Sequence, residues 1–303
     1  MRKDHQPLVI RHPYFSITNN KGVALLIVLL IITLMGVIIF EFHYRSRVDL
    51  VQARNRADWI KAFYIAKSGI NGMKEVLLDD AKESSYDGPD EKWAQEIPGL
   101  PVGAGLLFIK VVDEGGKFNI NTLVPNSGVV DEEAVKRFDR LLEEIGLEPG
   151  LKGDIVEFLK ERKDTKYKID DLSELLDLNS LDPEDLDMLE RVVTTDSGGK
   201  ININTAPREV VFSLSDSLTQ DMIDDIISHR GEEPFKSITV TEFQKASAGI
   251  DDKMLITFSG TINTTSAYFT IHSQAEVNGM IKGISATVSR EGGKIKVLKW
   301  KER

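Results

Sequence analysis

The chain has 303 residues, 41% of them hydrophobic, a formal charge of −10 and no cysteine. The missing cysteine excludes a disulfide framework, a thiolate metal site and a thiol nucleophile. The acidic balance argues against nucleic acid as the main partner, and the length accommodates one membrane helix plus one or two folded units.

Residues 1–22 carry Arg2, Lys3, Arg11 and Lys21 against Asp4, a bias that favours a cytoplasmic N-terminus. Arg45, Arg47, Arg54 and Arg56 pull the opposite way, partly balanced by Glu41, Asp49 and Asp58. Between these flanks, residues 23–40 hold no charge, and Thr33 is their one polar side chain. A helix of that length reaches roughly 27 Å, close to the ~30 Å hydrocarbon thickness of a bilayer.

Three readings compete for this run. A cleaved secretory signal has a shorter apolar stretch and a small-residue site after it, whereas this run leads into Glu41-Phe42-His43. A single-span anchor of a binding protein is the second reading. The third is a resemblance: about twenty polar residues, then Lys21-Gly22, then Val23-Ala24-Leu25-Leu26 is similar to a type IV prepilin leader. The resemblance implies cleavage by the prepilin peptidase between Gly22 and Val23, with methylation of the new Val23 amine. The fifth residue after the cut, glutamate in most such proteins, is Ile27. A carboxylate at that depth costs a few kcal/mol unless paired, and its partner would be the terminal amine of an adjoining subunit. Ile27 makes no such pair, which suits a subunit at a filament end.

The helix is expected to continue through residues 41–82, where Val48, Val51, Trp59, Phe63, Ala66, Ile70, Met73 and Leu77 recur at helical steps. Residues 64–70 resemble the corresponding helix of a pseudopilin. Residues 84–105, with Asp87-Gly88-Pro89-Asp90, read as a loop, and residues 106–112 as a strand.

The most specific internal feature is a repeat. Gly115-Gly116-Lys117-Phe118-Asn119-Ile120-Asn121-Thr122 returns as Gly198-Gly199-Lys200-Ile201-Asn202-Ile203-Asn204-Thr205. Each copy reads as a short strand, with Pro125 or Pro207 and then a helical pattern after it. Asn side chains in such strands are costly if buried alone, so their amides are expected to hold neighbouring backbone. Thr205 stands where a helix cap would sit, with Pro207 in the first turn.

Helices are expected at residues 131–145, 151–163, 170–176, 183–193, 209–214 and 220–229. The order of pieces in residues 200–245 resembles a helix-hairpin-helix unit, although its hairpin, Leu214-Ser215-Asp216-Ser217-Leu218, has no glycine and carries a carboxylate. Five basic and eight acidic residues between Lys200 and Lys245 repel a phosphate backbone, so the unit reads as a scaffold for protein contacts. From Met254 the texture turns to strands: residues 266–277, the hairpin signal Asn278-Gly279, residues 280–290, then Gly292-Gly293 and residues 294–300. The two Asn-Ile-Asn strands are candidates to join that antiparallel sheet.

Taken together, Gly22-Val23-Ala24-Leu25-Leu26, Phe118-Asn119-Ile120-Asn121, Asp171-Leu172-Ser173-Glu174-Leu175 and Ile201-Asn202-Ile203-Asn204-Thr205-Ala206-Pro207 occur in the order found in general secretion pathway protein K, the large minor pseudopilin of type II secretion, and the chain resembles that family. The resemblance implies an α+β fold: a long N-terminal helix and a pseudopilin-type antiparallel sheet interrupted by a large α-helical insertion. The expected divisions are a leader (1–22), a transmembrane helix (23–40), a continuing amphipathic helix (41–82), loop and first strands (83–122), the insertion (123–253) and closing strands (254–303). It also implies a single-pass inner-membrane protein with its bulk in the periplasm, placed at the pseudopilus tip with other minor pseudopilins; a minor component of a type IV pilus is the alternative.

Members of the family have an acidic loop linked to calcium. Here that place reads Phe158-Leu159-Lys160-Glu161-Arg162-Lys163-Asp164, with lysine in the first acid position. Asp164, Asp170 and Asp171 are the remaining candidates, against the six to eight oxygen ligands calcium takes. The run from Asp182 to Asp187 lacks the features of an EF-hand loop and reads as a helix start. The five histidines are scattered, and the Gly-Gly-Lys triplets lack the rest of a phosphate loop. A structural rather than catalytic role, without cofactor, is expected.

Overall fold

The computed structural model describes residues 20–148 and 150–303. The leader expected at residues 1–22 lies outside the described residues, apart from its last three positions. The chain divides into two compact units, one ending at Ala57 and one running from Asp58 to Arg303. Helix α1 (Asn20–Glu83) supplies every described residue of the first unit. Its large apolar side chains from Val23 to Phe40 are 49% to 74% exposed, so no described part of the chain covers them. The Thr33 hydroxyl donates to the Leu30 carbonyl at 2.9 Å, which satisfies the one polar side chain of the run without water.

In the second unit, α1 turns a narrow stripe inward. Ala62, Ala66, Ile70, Met73 and Leu77 follow steps of three and four and are almost completely buried. Trp59 stays partly exposed, stacked on Phe63 at 6.1 Å with Lys282 over its ring. The segment read as a loop after α1 contains a strand, β1 (Ile97–Val102), which pairs with β2 (Gly105–Asp113). Pro98, Gly99 and Pro101 concealed β1: these residues suit an edge strand and no other.

Residues 114–267 form the insertion. Its first half runs from β3 (Phe118–Asn119) through α2 (Glu132–Glu144), α3 (Leu151–Glu161), a 3-10 segment (Leu172–Asp177) and α4 (Pro183–Val192) to β4 (Val193–Thr194). The second half runs from β5 (Ile201–Asn202) through α5 (Arg208–Ser213), α6 (Gln220–Glu232), α7 (Val240–Ala246) and α8 (Asp252–Ser259) to β6 (Ile262–Asn263). In each half the repeated strand pairs in parallel with the short strand that closes the half, Phe118 opposite Val193 and Ile201 opposite Ile262. The halves are two versions of one crossover plan, and their apolar residues fuse into one core around Phe138, Ile155, Phe235 and Phe243.

Helix ends follow local chemistry. Asp131, Asp182, Thr219, Thr239 and Asp251 each accept a backbone N–H at the start of a helix, and Pro183 occupies the first turn of α4. Gly146, with φ +78°, ends α2 in the left-handed conformation. Four expectations need correction. In place of the helix expected at residues 170–176, Leu172–Asp177 forms a 3-10 helix, started by a capping box of Asp171 and Glu174. Residues 254–259 are helical, since Asp251 caps α8 and Leu255 and Phe258 bury one face. Thr205 caps nothing: α5 begins at Arg208, Pro207 stands at its N-cap position rather than in its first turn, there is no side-chain cap, and the Thr205 hydroxyl is used elsewhere. The Asn-Ile-Asn strands stay in the insertion as separate two-stranded ladders.

Three strands close the chain: β7 (Tyr268–Val277), β8 (Met280–Glu291) and β9 (Lys294–Glu302). The sheet order is β1-β2-β7-β8-β9, antiparallel throughout. Val277 faces Met280 across the two-residue turn Asn278-Gly279, both at positive φ (51° and 82°), as the sequence signal required. One face of this sheet receives α1. A Cβ on Gly69 would come within 2.4 Å of the Ser273 hydroxyl, and that hydroxyl donates to the Ala66 carbonyl at 2.8 Å.

Candidate functional site

Period-two burial on β8 runs Ile284, Ala286, Val288 and then Arg290. A guanidinium thus ends an apolar stripe, and its side chain is only 8% exposed. Its Nη1 donates to the Leu77 carbonyl at 3.1 Å and to Asp80 Oδ2 at 3.0 Å, both near the end of α1. Its Nη2 reaches both oxygens of Asp87, at 2.5 and 2.7 Å, and the Ser266 carbonyl at 2.9 Å. Phe269 lies under the cation at 4.8 Å. One side chain therefore ties the helix end, the loop after it and the return from the insertion to the sheet. Burial, reinforced by Glu91, pushes the Asp80 carboxyl up to about 7 despite its contact with Arg290. Burial also raises Asp87, while Arg290 and the Ser266 N–H pull it back; its two-oxygen contact makes Asp87 the principal counter-charge.

β2 ends in the same way, with Leu107, Ile109 and Val111 followed by Asp113 on the inward face. Asp113 Oδ2 accepts from Ser266 Oγ at 2.6 Å, Thr205 Oγ1 at 2.5 Å and Asn202 Nδ2 at 2.9 Å. Its Oδ1 accepts from the Gly115 N–H at 2.7 Å. The sheet is thereby joined to the second repeat strand. Burial lifts this carboxyl to about 6, with the three side-chain hydrogen bonds opposing. Because the folded value exceeds the ordinary 3.8, the contribution is fully present below pH ~4 and is lost as pH rises to ~6; its full size is on the order of 3 kcal/mol. Denaturant unfolding at several pH values should show the wild type declining across that window, and Asp113→Asn should flatten that part of the decline.

The repeated asparagines do the same job twice. Asn119 and Asn202 each accept the N–H two residues on, through their own Oδ1. Asn121 exchanges two bonds with the backbone of Ile169, both at 3.0 Å, and Asn204 does so with Phe235 at 3.0 and 2.8 Å. Each amide imitates one rung of a β-ladder where no strand follows, as expected for holding backbone. Asn202 also donates to the Asp87 carbonyl at 3.0 Å, linking the two buried networks.

The acids considered for calcium do not assemble into such a centre. Asp171 Oδ1 accepts from the N–H and hydroxyl of Ser173, and its Oδ2 is paired with Lys301. Burial alone would raise its carboxyl, but these partners prevail and hold it at about 2. Asp164 sits in a separate 3-10 turn, Lys163–Thr165, and Asp170 contributes only its carbonyl and N–H to neighbouring side chains. Among the described residues the acids that do converge are Asp80, Asp87 and Glu91, with oxygens within 4.8 Å of one another. There the cation is Arg290, and Glu91 is taken up by the Gly88 N–H and Trp93 Nε1.

Gly22, Val23 and Ile27 lie on α1, exposed. A Cβ on Gly22 would meet no described atom within 4 Å, so folding does not call for glycine there. The hairpin between α5 and α6 presents Asp216, ion-paired to Arg140 at 2.8 Å. Sequence reasoning passed over Arg290, Asp87, Asp113 and Ser266.

An exposed apolar helix that continues as the inner helix of an antiparallel sheet, with a helical domain inserted into that sheet, is an α+β fold of the pseudopilin type. Two family models, both described as type II secretion system protein K, match residues 116–195 and 201–258, the two halves of the insertion. Both halves of the insertion are therefore similar to type II secretion system protein K. Proteins of that name from Klebsiella pneumoniae and Aeromonas hydrophila are 31% and 30% identical over 137 and 142 residues. Those alignments cover 43% and 44% of this chain and 41% and 43% of the relatives' lengths. The fold is shared with a chain of the GspK-GspI-GspJ complex from enterotoxigenic Escherichia coli, at TM-score 0.66 and 18% identity, over 83% of this chain and 99% of that one.

Proposed function

We propose that this protein is a minor pseudopilin of a type II secretion system, held in the inner membrane by residues 23–40 and placed at the tip of the pseudopilus. Its role is structural, with its bulk in the periplasm. The observation that carries this reading is the tandem protein K insertion built into a sheet whose inner helix continues the apolar segment. The family match favours secretion over a type IV pilus or an unprocessed anchor.

Processing after Gly22 by the prepilin peptidase, and methylation of Val23, complete the proposal. Support comes from the polar-to-apolar boundary at that glycine and from the absence of a packing reason for it. Ile27, in place of an acid, leaves no carboxylate to pair with the amine of a subunit beyond it. The partners are other minor pseudopilins, by analogy with the Escherichia coli complex. Co-purification from membranes tests the partnership: the chain should bring down minor pseudopilins of the same secretion system, and recovery with pilus subunits instead would overturn it.

A further inference from the structure

A cavity of about 420 Å³ lies between the sheet end and the insertion, and it is rich in cations. Arg230, Arg191 and Lys117 all line it, and Asp113 is the one acid that does. Asp113 turns both carboxylate oxygens to Ser266, Thr205, Asn202 and Gly115. Arg230 is the unusual member. Its Nη1 donates to the Ile203 carbonyl at 2.6 Å, and among the described residues no carboxylate forms an ion pair with it or offsets its burial. Burial without an opposing acid lowers its pKa to about 10. Its remaining N–H groups have no protein acceptor, and none of them is sealed from solvent.

A partly desolvated guanidinium without a counter-charge is costly, and a planar fork of free donors suits a planar or tetrahedral oxyanion. Arg191, exposed on α4, adds a second unpaired cation at the rim. Lys117 is half committed, to Glu114 at 3.2 Å and the Glu190 carbonyl at 3.0 Å. Trp93 and Ile227 supply apolar wall, which strengthens a charge-assisted bond by limiting water.

We propose that this cavity binds a small oxyanion, a carboxylate or phosphate, between the Arg230 and Arg191 guanidinium groups. The chemistry is shared by a free anion and by an acidic side chain presented by a neighbouring subunit.

The test uses the purified full-length chain in detergent, with inorganic phosphate as the probe and sodium chloride at matched ionic strength as the control. Phosphate is expected to raise the unfolding temperature above the chloride value and to give a saturable calorimetric titration. Arg191→Gln alters an exposed side chain and is expected to fold normally while binding phosphate about tenfold more weakly, the effect of losing one charge-assisted contact. Arg230→Lys, which keeps the charge but loses the fork, should weaken binding as well. Equal responses to phosphate and chloride, or undiminished phosphate binding in Arg191→Gln, would overturn the proposal. Repeating the titration on the assembled minor-pseudopilin complex separates the two sources. Loss of the phosphate response there indicates a subunit carboxylate in the cavity, and an unchanged response indicates a free anion.

Discussion

Arg290→Ala should lower the unfolding free energy by about 3–5 kcal/mol, because it strands buried carboxylates that lose the cation paired with them. The Asp87 side chain is 1% exposed and that of Asp80 11%, so water replaces the guanidinium poorly, least of all at Asp87. Three joins fail together: the Leu77 carbonyl and Asp80 at the helix end, Asp87 in the following loop, and the Ser266 carbonyl at the return from the insertion. Denaturant unfolding of the full chain at pH 7 measures the loss. The deficit should shrink at lower pH, since Asp80 and Asp87 both have raised pKa values and are neutralised early as protons are added. A deficit that is small at neutral pH, or that grows on acidification, would show that Arg290 is not the tie described above.

Replacing Gly22 with valine should abolish processing entirely, leaving a chain that retains residues 1–22. The expectation combines the resemblance to a prepilin leader with the empty space around the Gly22 Cβ position. Because that position contacts nothing described, the same substitution should leave unfolding of the head unchanged. Intact mass spectrometry reads both forms: the parent protein should begin at a methylated Val23, and Gly22→Val at Met1. A substituted chain cut at the same bond would remove glycine from the recognition event.

Much of the fold was legible in the sequence because its signals are local. The uncharged run before Phe40, the Asn278-Gly279 turn and the Asp182-Pro183 helix start each depend on a few adjacent residues. The repeat also disclosed what its asparagines do, since a buried amide must find partners. What remained hidden was pairing at a distance. β1 was disguised by two prolines and a glycine that an edge strand tolerates. Residues 254–259 read as strand because Met254 to Phe258 are mostly apolar and β-favouring, although Asp251 caps them as a helix. The Asn-Ile-Asn strands pair with residues that follow several helical segments later, which no short-range pattern encodes.

The buried networks left a trace that periodicity alone can find. Leu107, Ile109, Val111, Asp113 and Ile284, Ala286, Val288, Arg290 are both period-two apolar stripes that finish on a charge. A charge continuing an inward face has to be paired or hydrogen-bonded. Only the structure, however, shows that Asp113 answers to Asn202 and Thr205, and Arg290 to Asp80 and Asp87.

A subunit with Ile27 in place of an acid should stand at the end of the filament. Labelling assembled pseudopili with an antibody to the insertion domain tests it most directly. Label confined to one end of each filament is the predicted result, and label repeated along the shaft would contradict it.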